Sequence, residues 1–284
     1  MNDQGPAHGD RKDIAARHNE GWFAALKSAW IQADKDNAGI VAAGVAYYAF
    51  LAIVPLLGAL VLTYGLVADP QTVAQHAQTL AGTLPQSAAD LITEQLEAAT
   101  QTASGTKGLG LILALAIALF GARKGAGAIV KALDIAYDLD DERSFLKKTL
   151  LALLITLGAI LGLGLVAGAV TVTGMLSGML AKVASYLVIF ASAVLGGWAL
   201  YRFAPDRDPP APHFQLPGAV FFALAALLLT IGFGFYVANF GSYNATYGSL
   251  GAVVVLLTWL YLTAYALLIG AELNAPAECQ NRQD

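Results

Sequence analysis

Asn239-Phe-Gly-Ser-Tyr-Asn-Ala-Thr-Tyr-Gly-Ser-Leu-Gly251 sits between two long apolar runs, and the whole stretch from Leu216 to Asn274 decides the class of this protein. The run Leu216 to Val237 carries no charge, and neither does Leu250 to Ala271, which stops at Glu272. Each is long enough for a helix to cross a hydrocarbon core of about 30 Å, which takes about 20 residues. The insert is rich in Gly, Ser, Asn and Tyr, so it reads as a helix–helix turn with cap chemistry at both ends. The pair is a transmembrane hairpin.

Composition agrees. A soluble domain is about half apolar and about a quarter charged, whereas here 57% of residues are hydrophobic and 13% charged. That points to one multi-pass bundle in a chain of 284 residues. The net charge of −4 says little, because the placement of Lys and Arg carries the topology. Cys279 is the single cysteine and lies in a polar tail, which excludes an intrachain disulfide and a cysteine-based metal site. The first 37 residues are too polar for a cleavable signal peptide, so the first span is expected to act as its own uncleaved signal.

The expected fold is all-α and polytopic. Residues 1–19 read as a disordered polar tail, 20–275 as a single six-span membrane domain, and 276–284 as a polar tail. The spans fall at about 38–68, 108–122, 149–179, 183–203, 216–240 and 247–272. Ahead of them, Trp22, Leu26 and Trp30 recur at helical spacing with Phe23, Ala29 and Ala33 beside them, while Lys27, Ser28 and Gln32 lie off that face. This amphipathic helix from Gly21 to Ala33 either lies in the membrane interface or packs on the bundle from the cytosol. Asp34 to Asn37 then turns the chain into the bilayer.

In the first span, Pro55 is expected to kink the helix. Ala38, Ala42 and Ala46, with Gly39 and Ala43, form a small-residue face for close contact. Residues Asp69 to Lys107 suggest two amphipathic helices, separated by Pro85, lying over the mouth of the bundle. After Gly108–Ala122 the helical pattern runs on through Ala126, Ile129, Val130, Leu133 and Tyr137, with Lys131, Asp134 and Asp138 on the opposite side. Asp140 to Arg143 breaks it. In the third span Gly158/Gly162, Gly164/Gly168 and Gly174/Gly178 are spaced for close backbone approach, which also offers a contact for a homo-oligomer.

The topology has an internal test. With a cytoplasmic N-terminus and six crossings, every Lys and Arg except Lys107 and Lys182 falls inside, fourteen of sixteen. That bias matches the positive-inside rule, whereas five spans would split the charge between the two faces. Both termini are then cytoplasmic.

Several pieces together resemble the YihY/virulence factor BrkB family of bacterial inner-membrane proteins. They are Ala42-Ala-Gly-Val-Ala-Tyr-Tyr48 with Pro55, Arg123, Arg143-Ser-Phe-Leu146, Leu216-Pro-Gly218, the 239–251 turn, and Gly270-Ala-Glu-Leu-Asn274. The resemblance covers about residues 20 to 275. Lys124 and Gly125 depart from it, standing where less charge and more bulk are expected. It implies a six-span fold in the bacterial inner membrane with no settled activity. Members are linked to virulence and envelope integrity, and some carry an old ribonuclease BN label.

The residues do not favour an enzyme. Metal-dependent RNA hydrolysis needs clustered His and carboxylate ligands, but His8, His18, His76 and His213 are scattered over tails and loops. The acidic run Asp138, Asp140, Asp141 and Glu142 reads as a solvated loop. No Ser/His/Asp or Cys/His set and no phosphate-cradling Gly-Lys-Ser/Thr loop is present, and neither a cofactor, a metal nor a nucleic-acid partner is expected.

The candidate substrate path is drawn from polar residues of the spans. At about 100° per residue, Tyr247, Gly251, Val254, Thr258, Tyr261, Tyr265 and Glu272 fall within about 80° of one another. This face supplies interhelical hydrogen bonds, or else a groove along which an amphiphile's head group moves while its tails stay in lipid. Asn239 and Asn244 join it from the turn, and Tyr48 from the first span. Arg123 and Glu272 are expected at the same inner depth, paired with each other or facing a polar ligand; otherwise they are snorkelling anchors. Two functions follow: a transporter or flippase of a lipid or other envelope amphiphile, or a non-transporting structural or partner-binding protein of the envelope. Membrane lipids are partners in either case.

Overall fold

The computed structural model describes residues 22–67, 109–140, 142–174, 179–208, 211–240 and 249–281, and every regular element among them is helical. The helices are α1 (Trp22–Lys35), α2 (Ala38–Val67), α3 (Leu109–Ala136), α4 (Phe145–Gly174), α5 (Met179–Phe203), α6 (Leu216–Phe240) and α7 (Ser249–Asn281). A 3-10 turn, Pro212–Gln215, leads into α6. The helices expected over 69–107 and the turn residues 241–248 lie outside the described residues.

Local chemistry sets the boundaries. α1 stops where Asn37 takes a positive φ of 54°, a left-handed conformation that Asn tolerates after a helix end. The next helix leaves bent by 75° from α1. Asp138, at φ 53°, closes α3 in the same way, with the Leu139 N–H donating 2.8 Å to the Asp134 carbonyl. Pro217 stands in the first turn of α6, where its missing N–H costs nothing. α3 runs unbroken through Arg123 and Lys124, so the pattern read beyond Ala122 is one continuous helix.

Among the described residues, four stretches are long and apolar enough to cross a membrane alone: Phe145–Val166, Met179–Phe203, Pro212–Tyr236 and Val253–Ala275. The bent pair of α1 with Ala38–Ile53 makes a fifth if it is one broken span. Helices α2 to α7 each pack on the next, and α7 returns to α2, so the order closes into a ring with α1 against α7 at the seam.

Burial is concentrated at one end of that ring, the end that holds α1, the α3–α4 turn and the 3-10 turn. Its core is made largely of small side chains: Ala29 and Ala33 of α1, Ala38 and Ala42 of α2, Ala132 and Ala136 of α3, Ala219 of α6 and Ala271 of α7. Small residues let backbones approach, and in a membrane dispersion and hydrogen bonds hold helices together. A Cβ on Gly218 would run into the Gly270 carbonyl oxygen, and one on Gly270 into the Tyr201 hydroxyl. A Cβ on Gly125 would lie 2.9 Å from that of Ala52, which explains why more bulk cannot stand there.

The far half is different. Leu165 on α4 and Phe235 on α6 are 76% and 67% exposed, with Leu180, Leu187 and Leu228 similar. Nothing stands within 4 Å of a Cβ built on Gly158, Gly162, Gly164 or Gly168. The close approach expected there is therefore not made within the described chain, because α4 turns this face outward. The surroundings of Gly174, and Gly178 itself, lie outside what is described.

Candidate functional site

Three polar assemblies occupy the packed end. The first is built on Asp134, a residue fully buried at 0% exposure. Arg143, which begins the Arg-Ser-Phe-Leu segment, donates from Nη2 to both Asp134 oxygens at 2.9 and 3.1 Å. Its Nη1 donates to the Ala204 carbonyl at 3.0 Å, and its Nε stands 3.1 Å from Asp206 Oδ1 as an ion pair. The backbone N–H of Asp206 donates 2.8 Å to Asp134, and that of Glu142 donates 3.0 Å to Asp206. One carboxylate thus binds the α3–α4 turn to the α5–α6 connection. The helical pattern of the sequence puts Asp134 on a polar face and misses this role; the available signals are Arg143 nearby and the acidic Asp206–Asp208 stretch.

The second joins two distant motif segments. The Gly218 N–H donates 2.8 Å to Asn274 Oδ1, and Asn274 Nδ2 donates 3.4 Å to the Tyr137 hydroxyl. The Tyr201 hydroxyl donates 2.8 Å to the Leu267 carbonyl. Arg207 lies 4.2 Å over the Tyr137 ring and donates to the Tyr201 carbonyl at 3.1 Å. Burial pushes the Tyr137 hydroxyl up to about 12, against the pull of the Arg207 charge, so it stays protonated.

The third involves the candidate path. Thr258 is exposed and donates to its own helix at Val254, 2.8 Å. Tyr261 stacks on Tyr265 at 6.1 Å, and the Tyr261 hydroxyl stands 3.5 Å from a Cβ position on Gly39. The Tyr265 ring meets Trp30 edge-on at 5.5 Å. Further along α7 come the buried Leu268 and then Glu272, 5% exposed, which lines one cavity with Asp36. The stripe therefore faces α1 and the start of α2. Tyr48 is exposed on α2, its ring edge-on to Tyr47 at 5.5 Å. Asn239 falls in the last turn of α6, where side chains are not described, and Asn244 and Tyr247 lie outside the described residues.

Arg123 and Glu272 do not meet. Arg123 lies 4.2 Å over Phe120 and 6.0 Å from the Phe145 ring, and Nη1 donates 3.5 Å to Thr149. Glu272 instead shares a cavity with Asp36, Ala132 and Ala136. Those alanines stand about 14 and 20 Å along α3 from Arg123, at about 1.5 Å per residue. The expected common depth fails because Glu272 packs against the part of α3 that runs on beyond Arg123.

Three of the segments that carried the family resemblance, Arg143–Leu146, Leu216–Gly218 and Gly270–Asn274, meet at the packed end. The family model described as virulence factor BrkB matches residues 29–284. The chain belongs to the BrkB family. A relative from Bacillus subtilis (strain 168), the ribonuclease-like protein YfkH, is 31% identical over 192 residues, covering 62% of this chain and 68% of the relative. UPF0761 membrane proteins of Xanthomonas campestris pv. campestris (strain 8004) and Xanthomonas axonopodis pv. citri (strain 306) are each 33% identical over 92 residues. Those matches cover 32% of this chain and about a fifth of each relative. No solved structure matches. As a BrkB-family member the chain is a membrane protein.

Proposed function

We propose that this BrkB-family protein is a transporter or flippase that moves a lipid or other envelope amphiphile across the bacterial inner membrane. The observation that carries the reading is the one-sided closure of the ring: tight at one end, with exposed apolar and hydroxyl-bearing side chains in the other half. A carrier that alternates between two openings has such an asymmetry in each of its end states. Tyr47, Tyr48 and Thr258 offer hydroxyls near the lipid-facing side of α2 and α7, a surface on which a head group can travel while its chains remain in lipid. The proposal includes six crossings, cytoplasmic termini and no enzymatic chemistry.

The test is reconstitution in vesicles holding a head-group-labelled phospholipid. Protein-dependent loss of the inner-leaflet label to an external quencher is the expected result. A rate equal to that of protein-free vesicles would favour a structural or partner-binding role, which the buried Asp134–Arg143–Asp206 assembly also suits. Topology is checked separately: an impermeant thiol reagent on intact spheroplasts should leave Cys279 unlabelled.

A further inference from the structure

The seam between α1–α2 and α7 holds a small cavity of about 10 Å³. Its lining is aliphatic (Ala38, Val41, Ala132, Ile135, Ala136 and Leu268) apart from two carboxyl groups, Asp36 and Glu272. Glu272 is 5% exposed, and its Oε1 is buried without a hydrogen-bond partner among the described residues. Its carboxyl shares this lining with that of Asp36. Two ionised carboxyl groups side by side in such a lining repel each other, so the pair is best accommodated with one of them protonated. A metal or sodium ion at this place would need several more oxygen ligands, and the rest of the lining is hydrocarbon.

We propose that Asp36 and Glu272 form a proton-binding site, one proton held between the two carboxyl groups, whose occupancy keeps the α1–α2/α7 seam closed. The other polar groups facing it fit that assignment. Gln32 of α1 donates to Asp36 at 3.1 Å, and Lys35 adds a positive charge that favours the Asp36 anion as acceptor. Asp138, beyond α3, adds a negative charge that opposes a second ionised carboxyl, while Tyr137 keeps its hydroxyl proton. Arg207 lies over Tyr137 and is turned to the Tyr201 carbonyl. Burial first, and then the Asp138 charge, hold Asp36 above the usual carboxylate range. A raised carboxyl gives stability that is fully present below its unfolded value and is lost as pH rises through the folded one. The closed seam therefore weakens as pH rises upward from the ordinary carboxylate range. When the proton leaves, two like charges face each other in an apolar cavity, and separation of α7 from α1 relieves the repulsion. The site stands whether or not an amphiphile is moved, since its readouts need no transport.

The experiment uses the full chain in nanodiscs. Infrared difference spectra across pH should show a protonated carboxyl band that persists above the ordinary carboxylate range and is lost in Glu272→Gln. Asp36→Asn should shift that band. The thermal midpoint of the wild type should fall as pH rises, and either substitution should remove most of that slope. Absence of the band in the wild type, or an unchanged band in both variants, would overturn the proposal. So would a wild-type pH slope retained in Glu272→Gln. A midpoint raised by sodium chloride but not by choline chloride at fixed pH would show a metal cation site instead and would equally overturn it.

Discussion

The two halves of the same helices are built to opposite rules. At the packed end α6 and α7 touch backbone to backbone at Gly218 and Gly270, and buried polar groups are tied by hydrogen bonds around Asp134 and Asn274. Along the far half, α4 and α6 carry equally apolar sequence but leave Leu165, Leu228 and Phe235 exposed. Hydropathy alone does not separate these halves; residue size and the placement of polar groups do. Apolar helices do not attract one another in lipid by hydrophobicity, so contact forms where small residues and hydrogen bonds make it favourable. The closed end is a specified contact, and the far half is a surface matched to its solvent.

The comparison breaks most directly at Asp134. Asp134→Ala leaves Arg143 without its buried partner, and removing one side of such a pair costs about 3–5 kcal/mol. The expected result is loss of the folded monodisperse protein in detergent, or a large fall in its thermal midpoint. A change below about 1 kcal/mol would mean that water reaches the network and that the end is not sealed.

A smaller contrast sharpens it. Gly218→Ala must push α6 off α7 and is expected to cost about 1–3 kcal/mol or more. Gly162→Ala, with open space around it, should be neutral or stabilise by up to about 1 kcal/mol. Chemical or thermal unfolding of the two variants in the same detergent checks the pair. Equal losses would show that the α4 glycines are in contact after all, as they would be against a second copy of the chain.

The smallest effect is at Arg123. Its ring contact with Phe120 is of the kind worth about 0.5–1 kcal/mol, so Arg123→Ala should be mild. With Glu272→Gln the two changes should add to within about 0.5 kcal/mol, as they do for sites without shared partners. A larger coupling in thermal stability would restore a link between the two residues that the distance along α3 argues against.

Much of this architecture is legible in the sequence, for definite reasons. The unbroken apolar runs mark the helices of the hairpin, and Ala38, Ala42 and Ala46 mark a contact face that is buried as expected. The polar stripe of α7 is found by angle, but its partner is not, since no periodicity in α7 reveals that Asp36 waits at a bend beside another helix. Asp134 is hidden because a charged residue on an amphipathic helix reads as solvated unless its counter-ion is known. Arg123 reads as the end of a span because charge after an apolar run normally marks the membrane surface. The continuing pattern to Tyr137 already argues that the helix goes on.

Translation order gives the Asp134 assembly a further meaning. Arg143 emerges nine positions after Asp134, about a second later at about 5–20 residues per second, whereas Asp206 follows 72 positions behind, about 4–14 s later. A carboxylate destined for burial thus receives a local partner almost at once and its second tie only when the α5–α6 connection has been made. Arg143 is thus available to Asp134 from the start, and Asp206 only after α4 and α5 have been made.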